Sequence, residues 1–80
     1  MDQQNSKVEI VLHINDTLDE DGRTFLTTML EKNEAIHSAE FCPLHHHLML
    51  VQYDRNRVNS QEILQTIRDQ DLYAQLIGPI

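Results

Sequence analysis

Residues 41–53, FCPLHHHLMLVQY, constrain what this chain can fold into more than any other stretch. They hold the single cysteine, three of the five histidines, one of the two prolines and the longest apolar run. Pro43 has no N–H to give to a β-ladder, so a strand arriving from the N-terminal side ends there. Beyond it, Met49, Val51 and Tyr53 alternate with Leu48, Leu50 and Gln52, the period of two that marks a strand. The stretch therefore reads as a β-hairpin. One strand covers residues 36–42, with Ala39 and Phe41 pointing inward. Residues 44–46 make the turn, and residues 47–53 form the return strand. Apolar side chains on both faces of the return strand suit a central position in a sheet, or an open face that meets a partner.

The flanking sequence supplies what such a hairpin needs. Residues 7–14, KVEIVLHI, put Val8, Ile10, Leu12 and Ile14 on one face and Lys7, Glu9, Val11 and His13 on the other, with β-branched enrichment. Residues 15–21, NDTLDED, leave that strand and start a helix, with Thr17 and Glu20 spaced as a capping box and acidic residues suited to a helix N-terminus. Phe25, Leu26, Met29 and Leu30 form a helical stripe that Leu18 can join, which predicts a helix over residues 18–33 weakened mildly by Gly22. After a polar turn at residues 54–57, Ser60 is the expected cap of a second helix that ends near Gln70 and buries Ile63, Leu64 and Ile67. Residues 73–77 read as a short last strand closed by Gly78 and Pro79. The order β-α-β-β-α-β predicts an α+β, ferredoxin-like sandwich: a four-stranded antiparallel sheet with two helices on one face. It occupies residues 7–80, behind a polar tail, MDQQNS, at residues 1–6.

Composition narrows the function classes. A domain of 80 residues buries only about 60% of its unfolded surface. Apolar residues make up 40% of the chain, so a small packed core is expected. Thirteen acidic against six basic residues give a formal net charge of −7. That balance disfavours nucleic acid and anionic membrane surfaces and favours cations or a protein with a basic patch. One cysteine allows no internal disulfide and fits a reducing compartment. No apolar run nears the roughly 18–20 residues of a membrane span. No basic-then-apolar leader precedes the first strand, so a cytoplasmic protein is expected.

The second half carries a resemblance. Phe41, a turn, Val51-Gln52-Tyr53-Asp54, then Val58-Asn59-Ser60-Gln61-Glu62-Ile63-Leu64, Ile67 and Tyr73-Ala74 are similar to the pattern of the heavy-metal-associated domain, the fold of small copper chaperones and of the N-terminal modules of metal-pumping ATPases. The resemblance spans residues 7–76 and rests mainly on core and capping positions. That family holds its metal in a Met-x-Cys-x-x-Cys loop between the first strand and the first helix. Here the loop is Asn15-Asp16-Thr17-Leu18-Asp19-Glu20-Asp21, without a thiol, so no ligand carries over and a two-thiolate Cu(I) site there is excluded. The resemblance implies a divergent member that has lost its site or moved it.

The topology offers a place to move it. The end of the first strand, the hairpin tip and the start of the last strand share one edge, which gathers His13, Cys42, His45, His46 and His47. Imidazole with thiolate suits Zn, Cu, Ni or Co ions. His13 and His46 share outward parity on paired strands, where Cβ atoms lie about 4.5–5.5 Å apart. Against this stands a solvated turn: alternating strand residues point to opposite faces, and Cys-Pro-Leu-His-His-His matches no established zinc spacing. His37 falls at the other end and reads as a surface residue. Cys42 with the histidines also gives a weak thiol-enzyme reading, which lacks a legible oxyanion hole. Met29 and Met49 read as packing residues, and the acidic loop as a helix cap or a docking patch, without the spacing of a calcium loop. Finally Val11, Leu48 and Leu50 share the helix-free face, which predicts a homodimer or partner interface, against a modestly apolar exposed face of the kind small sheets tolerate. The leading expectation is a non-enzymatic metal-handling domain, and the alternative is a metal-free interaction or dimerisation module.

Overall fold

Period-two segments become strands and period-3.6 segments become helices in the order expected. The computed structural model describes residues 7–79, so the polar stretch at residues 1–6, read above as a tail, lies outside the described residues. The elements are β1 (Lys7–Ile14), α1 (Glu20–Glu31), β2 (Ile36–Cys42), β3 (His45–Asp54), α2 (Ser60–Arg68) and β4 (Ala74–Pro79). The four strands make one antiparallel sheet in the order β2-β3-β1-β4. This α+β arrangement is consistent with a ferredoxin-like fold in general.

One core holds the domain together. The inward residues of the two central strands, Ile10, Leu12 and Ile14 of β1 with Met49, Val51 and Tyr53 of β3, are buried. They pack with Leu26 and Leu30 of α1 and with Ile63, Leu64 and Ile67 of α2. No polar or charged side chain is buried among the described residues. The core is apolar throughout, which removes the desolvation cost of unpaired polar groups. The α1 stripe is narrower than its sequence suggests. Leu18 and Met29 pack only partly against the core, as does Phe41 of β2, while Phe25 faces outward with 61% of its surface exposed.

Caps fall one or two residues away from the expected positions. Asp19, not Thr17, caps α1, its Oδ1 accepting from the Gly22 N–H at 2.8 Å. Asn59, not Ser60, caps α2, and Glu62 closes a reciprocal capping box: Asn59 Oδ1 accepts from the Glu62 N–H at 2.8 Å and Glu62 Oε1 accepts from the Asn59 N–H at 2.9 Å. In both helices an Asx carboxyl or amide oxygen displaces the neighbouring hydroxyl residue from the capping role. α2 ends at Arg68 rather than near Gln70, and the chain then turns through Asp71, which adopts a left-handed φ of 64° that aspartate tolerates.

Three irregularities break the sheet's alternation. Between Ile36 and Ser38 the extra residue His37 bulges outward, which lets Ile36 and Ala39 both reach the core although they are an odd three positions apart. β4 runs on through Gly78 to Pro79, past the end expected at Ile77, because a register shift opposite Val11 and Leu12 admits one more residue, Ile77. Gly78 sits there at φ +146°, a conformation L side chains rarely adopt. The third irregularity, at the hairpin, shapes the candidate site.

Candidate functional site

The β2–β3 turn is tighter than the sequence suggests. Cys42 pairs directly with His45 in register, so Pro43 and Leu44 alone make the turn, and His45 and His46 already belong to β3. The next pair along the ladder is Phe41 with Met49. Thus His46, His47 and Leu48 have no partner on β2. On the other side β3 pairs with β1 only as far as His13 with Leu48. His46 and His47 therefore lie beyond regular pairing on both sides, and strict strand parity does not govern where their side chains go.

His47 uses this freedom. Its Nδ1 lies 2.6 Å from the carbonyl oxygen of Ile14, the first β1 residue past the ladder. A carbonyl oxygen only accepts, so Nδ1 carries the proton and donates it. The side chain continues the sheet's hydrogen bonding where the backbone stops. His13 makes a matching contact, with Nδ1 3.1 Å from Asn15 Oδ1. The His13 and His47 rings stack with centroids 5.7 Å apart and planes inclined by 16°. The ring neighbour of His13 is thus His47 and not His46, the partner that outward parity suggests. With each Nδ1 committed to an oxygen, the neutral tautomer leaves the lone pair of each Nε2 free. Histidines that bind metal use this arrangement, donating the far N–H to a carbonyl or carboxyl-type oxygen while the other nitrogen ligates.

The other expected ligands stand apart from this pair. His45 and His46 are exposed, and Cys42 is a half-buried free thiol across from His45. Among the described residues, no three His, Cys, Asp or Glu side chains are gathered around a position that could hold one ion. His37 is exposed and belongs to β2's far end, as expected.

The loop that carries thiols in heavy-metal-associated domains has structural work here. Asn15 N–H donates to the Tyr73 carbonyl at 2.7 Å, and Tyr73 N–H donates to Asp16 Oδ1 at 2.7 Å. These two bonds tie the exit of β1 to the entry of β4. Asp19 caps α1, and Arg23 Nη1 donates to the Leu18 carbonyl at 2.6 Å. The lone Asp16 carboxylate oxygen engaged by Tyr73 was not singled out by its sequence context, because nothing local marks a contact made 57 residues away.

On the helix-free face, Val11 stands opposite Leu50 and His13 opposite Leu48 across the central strand pair. Val11, Leu48 and Leu50 are all half-buried without a helix above them. Glu9 and Gln52 form the next pair along, and Ser38 Oγ donates to Gln52 Oε1 at 3.5 Å. A short apolar strip is thus bounded by polar residues.

No helix among the described residues is long and apolar enough to cross a membrane. No protein-family model and no curated protein matches this chain, so nothing in these comparisons indicates a heavy-metal-associated domain.

Proposed function

We propose that this chain is a non-enzymatic, cytoplasmic metal-handling domain of ferredoxin-like fold, divergent from heavy-metal-associated domains, whose first two ligands are His13 and His47. The observation that carries the reading is the stacked pair with both Nδ1 atoms bound to oxygen and neither Nε2 engaged in a hydrogen bond among the described residues. Two imidazoles suit Zn, Cu, Ni or Co. A closed tetrahedral shell needs more, and His45, His46 and Cys42 at the adjoining hairpin tip are the groups within the same edge that supply it after local rearrangement. The formal charge of −7 favours approach of a cation.

Calorimetric titration with Zn²⁺, Cu²⁺ and Ni²⁺ tests this. The expected outcome is one-site uptake with a Kd on the order of micromolar, weakened at least tenfold in His13→Ala and in His47→Ala. Acidification releases the ion, because the ligand is neutral imidazole. Uptake that survives loss of both residues, or no saturable uptake, rejects the pair as a site.

A second reading rests on a different observation, the Val11–Leu50 cross-strand pair with Leu48 on the uncovered sheet face. Such a strip suits self-association or a protein partner with a basic patch facing Glu9 and Glu40, whose position opposes Leu50 on β2. Sedimentation over a hundredfold concentration range reads it directly. A protein that stays monomeric at every concentration, and whose metal titration is unaltered by Leu48→Ser and Leu50→Ser, leaves the metal reading alone.

A further inference from the structure

A cleft of about 630 Å³ opens beside the loop that joins α2 to β4, lined by Arg68, Asp71, Leu72, Tyr73, Gln75 and, from β1's exit, Asn15. Its volume lies in the range of small-molecule sites, roughly 300–1,000 Å³. The walls divide by chemistry. Leu72 is half-buried and packs against the core, and Tyr73 is 76% exposed, so together they offer an apolar wall. Arg68 and Asp71 bring opposite charges to the same cleft, yet no ion pair joins them to each other or to any other charged group among the described residues.

A backbone carbonyl anchors the Arg68 side chain, and a tight turn sets the backbone of Asp71. Arg68 Nη2 donates to the Ala74 carbonyl at 3.1 Å, which anchors one edge of the guanidinium and leaves its remaining donors without a partner among the described residues. The neighbouring Asp69 accepts from Gln65 Nε2 at 2.9 Å and forms no ion pair with Arg68 among the described residues. Asp71 is fixed in a left-handed turn, its N–H donating to the Arg68 carbonyl at 2.9 Å. Two unpaired opposite charges on one cleft, next to an apolar wall, match a small zwitterion: a guanidinium for its carboxylate, a carboxylate for its ammonium, and Leu72 with Tyr73 for a side chain.

We propose that this cleft binds a free α-amino acid with an apolar or aromatic side chain. The inference is independent of the histidine pair and holds whether or not the domain carries metal. Both charges are solvent-exposed, so each contributes modestly and the affinity is weak. Recognition comes from the simultaneous fit of three groups.

Nuclear magnetic resonance titration of the full chain, isotope-labelled and kept in chelator so that the amino acid cannot act through bound metal, tests the proposal with L-phenylalanine and L-leucine as probes. The expected result is saturable shifts of the amides of Asn15, Leu72, Tyr73 and Gln75, with a Kd on the order of millimolar. N-acetyl-L-phenylalanine amide, which lacks both charges, binds at least tenfold more weakly. Arg68→Gln and Asp71→Asn, the latter chosen because asparagine also tolerates a left-handed φ, each weaken binding at least fivefold while leaving the rest of the spectrum in place. Absence of saturable shifts, equal binding of the neutral analogue, or unchanged affinity in both variants overturns the proposal.

Discussion

The two faces of the sheet are built by the same strands, one residue out of step, and they differ in almost everything else. On the helix-covered face, Ile10, Leu12 and Ile14 of β1 meet Met49, Val51 and Tyr53 of β3, and all are buried. On the other face, Glu9, Val11 and His13 meet Leu48, Leu50 and Gln52, and all are half-buried. The covered face has no freedom, because a one-residue slip exports its whole hydrophobic set. The open face is unconstrained by packing, so the composition found there, a short apolar strip running into a histidine pair, needs another cause. Function is the cause proposed above.

This contrast can be broken by experiment. The largest effect is expected at Leu12, which is completely buried: Leu12→Ala should lower unfolding free energy by about 2–5 kcal/mol in a denaturant titration. For a domain this small, that is much of its total stability. A loss under about 1 kcal/mol would mean that the covered face is not the core. An intermediate effect is expected for His47→Ala, which removes the bond to the Ile14 carbonyl at the end of the ladder. The cost should be about 0.5–1.5 kcal/mol without metal, and greater with Zn²⁺ present if the histidine pair binds it. An identical cost in both conditions would separate the structural role of His47 from the proposed ligand role. The smallest effect is expected for Val11→Thr and Leu50→Thr, each within about 0.5 kcal/mol for a monomer. A larger cost that grows with protein concentration would reveal a covered strip and favour the dimer.

The two ends of the hairpin also differ in how readable they were. From Met49 to Tyr53, alternation predicts burial correctly, because both neighbouring strands are paired and the one irregularity there, the bulge at His37, lies on β2 and leaves the pleat of β3 intact. From His45 to His47 it does not. The two-residue turn at Pro43 and Leu44 draws His45 and His46 into β3, and the shift between Phe41 and Cys42 strips His46, His47 and Leu48 of their β2 partners. Parity holds only where a ladder enforces it, so the pairing of His13 with His46 gives way to a stack with His47. The bulges at His37 and Ile77 have no mark in either strand alone for the same reason, since both are decisions of register between strands. Caps were read to within two residues, because Thr17 and Asp19, or Ser60 and Asn59, compete locally on nearly equal terms. The cleft was not legible at all: Arg68, Asp71 and Asn15 sit in segments with no common motif.

The sequence by itself determined the order of elements, the inward set of the central strands and the gathering of histidines at one edge, because period-two and period-3.6 patterns act through burial, and burial is a property each segment declares locally. Only the tertiary structure decided which histidines meet and that both engage an oxygen through Nδ1. It also decided that the β1–α1 loop is tied down by Asp16 and that two charges share a cleft unpaired. Those outcomes depend on where ladders end, and a ladder's end is set by two strands together.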